Sequence, residues 1–208
     1  MKKMLLTVMI AALLALPLGG VALAQTPEAI PDAAPQEIFV PGSVPAETSA
    51  LESMSPALHG VVLAMLNQGQ TSFDPGSPVT GWEALYNMLA LYGPMDDRAD
   101  CTGDEMFLPS EIVMDFAAAL GAPISADLPE ELTDRMVYDG ENDGYLLVCG
   151  DDGLAQIRLD GAVEADGGLE VTGALVYLVD DSDLARFTAL LTVEDNLFGY
   201  ALAGLDIL

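Results

Sequence analysis

The sequence predicts an α+β protein in which N-terminal helices pack on a five- to six-stranded antiparallel meander sheet. Three observations predict it. Apolar residues recur at helical spacing between Ser55 and Leu120. Apolar runs of strand length alternate with turns rich in Asp and Gly from Arg135 to Leu208. Phe187, Ala189, Leu191 and Val193 alternate with residues such as Thr188 and Thr192, the period of two that marks a half-buried strand.

The chain opens as a secretory signal peptide over residues 1–24. Met1-Lys-Lys-Met4 is basic, Leu5 to Leu16 is apolar, and Ala22-Leu-Ala24 supplies the small residues of a cleavage site, so the mature chain should begin at Gln25. The apolar run is shorter than the roughly 18 residues of a membrane span, and Pro17, Gly19 and Gly20 break the helix beyond it. The expectation is a secreted, extracellular protein with no stable membrane insertion after cleavage. Residues 25–49 carry Pro27, Pro31, Pro35, Pro41 and Pro45 among Ala, Glu and Gln, and read as an extended, disordered Pro/Ala-rich linker. Residues 50–208 are long enough for a single α+β domain with its own core.

Within that domain, Ser55-Pro56 suits a helix start, because the missing N–H of proline is not needed in the first turn. Leu58, Val61, Val62 and Met65 then share a face, with His59 on its flank. A lone His reads as a surface or capped residue, since no second His completes a zinc site. Thr80-Gly-Trp-Glu83 has capping-box spacing. Trp82, Leu85, Tyr86, Leu89 and Tyr92 come next at helical spacing, and Gly93-Pro94 ends the helix. Met95 to Phe107 reads as a polar loop. Leu108-Pro109-Ser-Glu111 opens a third helix carrying Ile112, Phe116 and Leu120, with Gly121 suited to a left-handed terminus and a short turn expected at Glu130 to Leu132. The strands are expected at Arg135–Tyr138, Tyr145–Cys149, Leu154–Leu159, Leu169–Val179, Phe187–Val193 and Phe198–Leu208. The last of these places Ala201, Ala203, Leu205 and Ile207 in one register.

The whole chain has a formal net charge of −27. Lys2 and Lys3 leave with the leader, so four arginines then face 33 acidic residues. Such a surface repels phosphate backbones and has no basic stripe to contact them, which excludes nucleic acid as a partner. Cationic proteins, cationic peptides and divalent ions remain compatible with it. Cys101 and Cys149, in a chain bound for an oxidising compartment, are expected to form a disulfide stabilising by roughly 4 kcal/mol at most.

No motif specifies catalysis. Asp139-Gly-Glu-Asn-Asp-Gly144 shares its first, fifth and sixth positions with a calcium-binding EF-hand loop, making Asp139, Glu141 and Asp143 weak calcium candidates. Glu141 at the third position and Gly150 at the twelfth break the pattern, however, and a hairpin turn accounts for the segment more simply. Asp151, Asp152, Asp180, Asp181 and Asp183 share the ambiguity. A Ser-His-Asp triad would have to use His59 without a nucleophile elbow. Paired carboxylates could serve a hydrolase, but with 33 acids such pairs arise by chance. Trp82, Tyr86, Tyr138 and Tyr145 are the candidate ligand-binding side chains, expected in the concavity between helices and sheet.

The leader, the helical block and a meander bearing Tyr138-Asp139, Asn142-Asp143-Gly-Tyr145 and Gly150-Asp-Asp-Gly153 resemble secreted bacterial helix-then-meander domains, cystatin-like or NTF2-like in outline. That resemblance implies an accessory or binding module for a protein or small-molecule ligand, some such domains being inhibitors of cell-wall hydrolases. A carboxylate-dependent hydrolase is the further alternative, and no cofactor beyond weak calcium is implied.

Overall fold

The structure, a computed structural model, describes residues 51–208 except positions 123, 125, 126, 150–152 and 166. The expected signal peptide and linker, and Asp151 and Asp152, lie outside the described residues. Among the described residues are three α-helices: α1 (Ser55–Gln68), α2 (Pro78–Tyr92) and α3 (Ser110–Ala118). Eight strands accompany them: β1 (Asp100–Thr102), β2 (Glu105–Pro109), β3 (Met136–Asp139), β4 (Gly144–Val148), β5 (Ala155–Ala165), β6 (Gly168–Tyr177), β7 (Asp183–Val193) and β8 (Tyr200–Ile207).

The class is α+β, with helices on antiparallel strands, but the strands number eight and form two sheets in place of one. One sheet has the order β1-β2-β4-β3, the other β5-β6-β7-β8, and every pairing is antiparallel. The run beginning at Arg135 is therefore split. Its first hairpin, β3–β4, joins an upstream hairpin, β1–β2, folded from the segment expected to be a polar loop. Met106 and Leu108 supply that hairpin's buried face, and acidic residues fill much of the rest.

The central helix is α1, packed against α2 on one side and touching β5 and β7 of the meander on the other. Burial surrounds it: Ala57, Leu58, Val61, Val62, Ala64 and Met65 are all inaccessible to solvent. The two helices approach so closely that a Cβ on Gly60 would collide with the Ala84 carbonyl oxygen, and Asn87 Nδ2 donates to the Gly60 carbonyl at 3.3 Å. Helix α2 begins ahead of the expected capping box. Its cap is Ser77, whose Oγ accepts from the Thr80 amide at 3.4 Å, with Pro78 in the first turn.

Helix α3 lies against β2 and β4. Its far end is tied to the meander by a Leu202 amide bond to the Ala119 carbonyl (2.9 Å) and by the edge-to-face pair Phe116–Phe198, 5.5 Å apart. Gly121 takes a left-handed φ of 62°, as expected, and a Cβ there would strike the Leu202 carbonyl oxygen. In β7 the alternation holds from Ala185 to Leu191, with Ala185, Phe187, Ala189 and Leu191 turned inward, but Val193, expected in the same set, is exposed at the strand's end. In β8 it does not. Leu190 pairs with Gly204 but Leu191 pairs with Leu202, so Ala203 is bulged out and exposed while Leu202 and Leu205 face the core.

The outer face of the meander carries a four-membered ion-pair network. Arg158 on β5 and Arg186 on β7 flank Ala174 of β6, and both bind Asp160 and Asp183 at 2.8–3.2 Å. Ala174, between the two arginines in the register, is fully buried. The free edge of β8 is covered by the loop before α2, through the Ile207 amide to the Thr71 carbonyl (2.8 Å) and the Phe73 amide to the Leu205 carbonyl (2.7 Å).

Candidate functional site

Helix α2 runs along β4, and three of the four expected aromatic residues meet there. Trp82, at 1% exposure, lies 6.0 Å from the Tyr145 ring, which in turn lies 5.1 Å from Tyr138. Both ring pairs are tilted, at 52° and 56°, within the distances at which aromatic pairs attract. Tyr138 and Tyr145 face each other directly across β3 and β4, so the strand register places them on one side of the sheet.

These rings, with Ser110, Val113 and Met114 of α3 and Ile124, line an open groove of about 440 Å³. Trp82 forms its floor. Tyr138, 51% exposed, and Met114, 59% exposed, stand at its mouth.

Two hydroxyls of the groove lining, those of Ser110 and Tyr138, are anchored on the β3–β4 turn. Asp143 holds a left-handed φ of 49°, and its carbonyl accepts from the Ser110 amide at 2.9 Å. The Ser110 and Tyr138 hydroxyls both donate to Asp143 Oδ1, each at 2.9 Å. Among the described residues, no hydrogen bond reaches Oδ2. Donating to a carboxylate favours the neutral phenol, so the Tyr138 pKa is raised. Burial, with a smaller contribution from Asp143, raises that of Tyr145.

Tyr86, one helical turn beyond Trp82, is not part of this groove. Its hydroxyl donates to the Val148 carbonyl at 2.7 Å, and the Arg135 guanidinium carbon sits 4.5 Å from its ring centre. Arg135 also makes a bidentate pair with Glu83 through Nη1 at 3.0 Å and Nη2 at 2.6 Å. Tyr86 is thus a fastener between α2 and the smaller sheet.

The acidic turn is organised as a hairpin. Asp139 Oδ1 accepts from the Glu141 and Asn142 amides, and its Oδ2 from Asn142 Nδ2 at 2.7 Å, which lowers the Asp139 pKa. Asp139, Glu141 and Asp143 do not converge, and no group of three or more potential metal ligands occurs among the described residues. Asp180 accepts from the Ser182 amide, and Asp183 is held by arginines.

The expected disulfide is not formed: Cys101 and Cys149 are free thiols. Sheet geometry explains why. Cys101 pairs with Met106 on β2, and Met106 pairs in turn with Leu147 on β4, so β2 runs between the two thiols. Two inter-strand spacings amount to roughly 10 Å, beyond the roughly 4.4–6.8 Å between Cα atoms that a disulfide tolerates. The Cys149 amide is instead engaged by the Asp104 carbonyl at 2.8 Å.

His59 is buried, at 3% exposure, and does not lie on the surface. Its Nδ1 is 2.8 Å from the Tyr92 hydroxyl, and burial lowers its pKa to about 4. No helix among the described residues is long and apolar enough to cross a membrane.

No protein-family model matches the sequence, and comparison with curated proteins and with solved structures returns no match.

Proposed function

We propose that the protein is a secreted, non-enzymatic binding domain whose ligand occupies the groove between α2, α3 and the β3–β4 hairpin. One observation carries this reading. Three aromatic rings and a methionine converge on an open cavity of about 440 Å³ whose lining hydroxyls, of Ser110 and Tyr138, are both bonded to the exposed Asp143 carboxylate. Ligand sites are commonly concave and apolar, with a few placed polar groups.

Binding is favoured over hydrolysis by the electrostatics. Among the described residues, the carboxylates whose pKa departs from the ordinary value, Asp96, Asp139, Asp160 and Asp180, all move downward through hydrogen bonds to their charged form. A carboxylate acting as general acid needs the opposite shift.

Trp82 is the chain's single tryptophan and lies at the groove floor, so its fluorescence reports occupancy. The test titrates short peptides of basic, neutral and acidic composition, together with neutral oligosaccharides. A saturable change in Trp82 emission with at least one class, lost in Tyr138→Ala, is the expected result. No response from any class, or a response equal in Tyr138→Ala, overturns the reading.

A further inference from the structure

We infer that the occupant of the groove is a cationic side chain, a lysine or arginine presented by a basic peptide segment of a partner protein. This rests on the groove being the binding site and adds the chemistry of what it takes.

The first observation is the mouth itself. Tyr138 and Ser110 both donate to one oxygen of Asp143, fixing the carboxylate beside the rings while Oδ2 accepts no hydrogen bond from the described residues. A long basic side chain matches this arrangement. Its aliphatic stem would lie on Met114 and the tyrosine rings, and its charged head would reach the carboxylate. Ring faces carry negative potential and attract such a head group. Donation by the Tyr138 hydroxyl to a carboxylate leaves that ring richer in electron density.

The second observation concerns competing cations. Among the described residues, no arginine lines the groove. Arg98 is bound to Asp96 at 2.8 Å and to Asp115 at 3.4 Å, and Arg135 to Glu83. Arg158 and Arg186 are bound to Asp160 and Asp183. Every arginine of the chain is thus neutralised by its own carboxylates, and the remaining field, from a formal charge of −27, is of one sign. Such a field draws basic partners in and repels acidic ones.

The third is access. With Tyr138 and Met114 more than half exposed, the groove opens to solvent, so a side chain can enter while its backbone stays outside.

The experiment monitors Trp82 emission during titration with a short lysine-rich peptide, its arginine counterpart, and the same lysine peptide fully acetylated on its side chains. Acetylation keeps the stem and removes the charge. The lysine or arginine peptide should bind saturably, the acetylated one at least about tenfold more weakly. Asp143→Asn should weaken binding about tenfold, because Asn tolerates the left-handed turn but supplies no charge. Glu170→Gln removes an equal charge from the exposed surface of the meander and should change affinity less than about twofold.

Equal binding of the acetylated peptide, or equal losses in the Asp143 and Glu170 variants, overturns the inference. If basic peptides fail while an uncharged probe still gives a saturable response, the cationic occupant is refuted and the groove reading survives. Silence toward every probe refutes both.

Discussion

His59 Nδ1 lies 2.8 Å from the Tyr92 hydroxyl, a contact between α1 and the last residue of α2 with the imidazole shielded from water. Burial holds the folded pKa at about 4, against the ordinary 6.5. Between these values the unfolded chain binds a proton that the folded chain does not, so stability falls as pH drops from about 6.5 to about 4. The shift corresponds to about 3 kcal/mol at most. His59→Gln should flatten this part of the stability curve. Denaturant unfolding of both proteins from pH 7 to pH 4 checks it, and parallel curves would contradict the assignment.

Gly60→Ala places a methyl group against the Ala84 backbone oxygen, where no flexible side chain can give way. The helices must separate, at a cost of about 1–3 kcal/mol despite the better helix propensity of alanine. A fall in Tm for this variant, with no fall for Gly204→Ala, where a methyl group meets nothing within 4 Å, is the expected thermal-melt result.

Arg135→Lys keeps the charge but loses the fork on Glu83 and the flat face over Tyr86. A loss of about 1 kcal/mol is expected, with Tyr86→Phe costing a similar amount through its bond to Val148. Neither residue lines the groove, so peptide titrations of Trp82 emission should match those of the parent protein.

Both thiols should be available to alkylation in the native protein. Cys101 is exposed and should react first. Cys149 is partly buried, its thiol pKa raised by that burial and less so by Cys101 and Asp104, and should react more slowly. Mass spectrometry after timed iodoacetamide treatment distinguishes two sequential additions from none. No addition without prior reduction would mean the two are joined after all.

The sequence carried the local signals well and the long-range ones poorly. Pro56 and Gly121 mark their helix ends because proline and glycine act through the backbone alone. The inward set of β7 is visible because a flat, half-buried strand writes its two faces as alternation. By contrast, the partner of β4 is β2, some forty residues upstream in an acid-rich stretch with only three consecutive apolar residues, Met106 to Leu108. Nothing local announces that pairing, and without it the thiols read as bridgeable. The bulge at Ala203 is equally silent, since an extra residue leaves composition unchanged while reversing the side facing the core.

The candidate site shows the same division. Trp82, Tyr138 and Tyr145 could be named for their chemistry, but the part played by Ser110 and Met114, and the Ser110 bond to Asp143, depend on α3 docking beside the hairpin. Tyr86 shares the helical face of Trp82, and one turn suffices to carry it from the groove to the Val148 carbonyl.

The closed pairing of every arginine has an outcome for how these molecules meet one another. With every arginine paired and a formal net charge of −27, two copies approaching in dilute buffer meet mostly like charge, so mutual repulsion should keep them dispersed. Added salt shortens the reach of that rejection, to about 8 Å at physiological ionic strength. The ionic strength of the surroundings then sets how strongly copies of the protein hold one another apart.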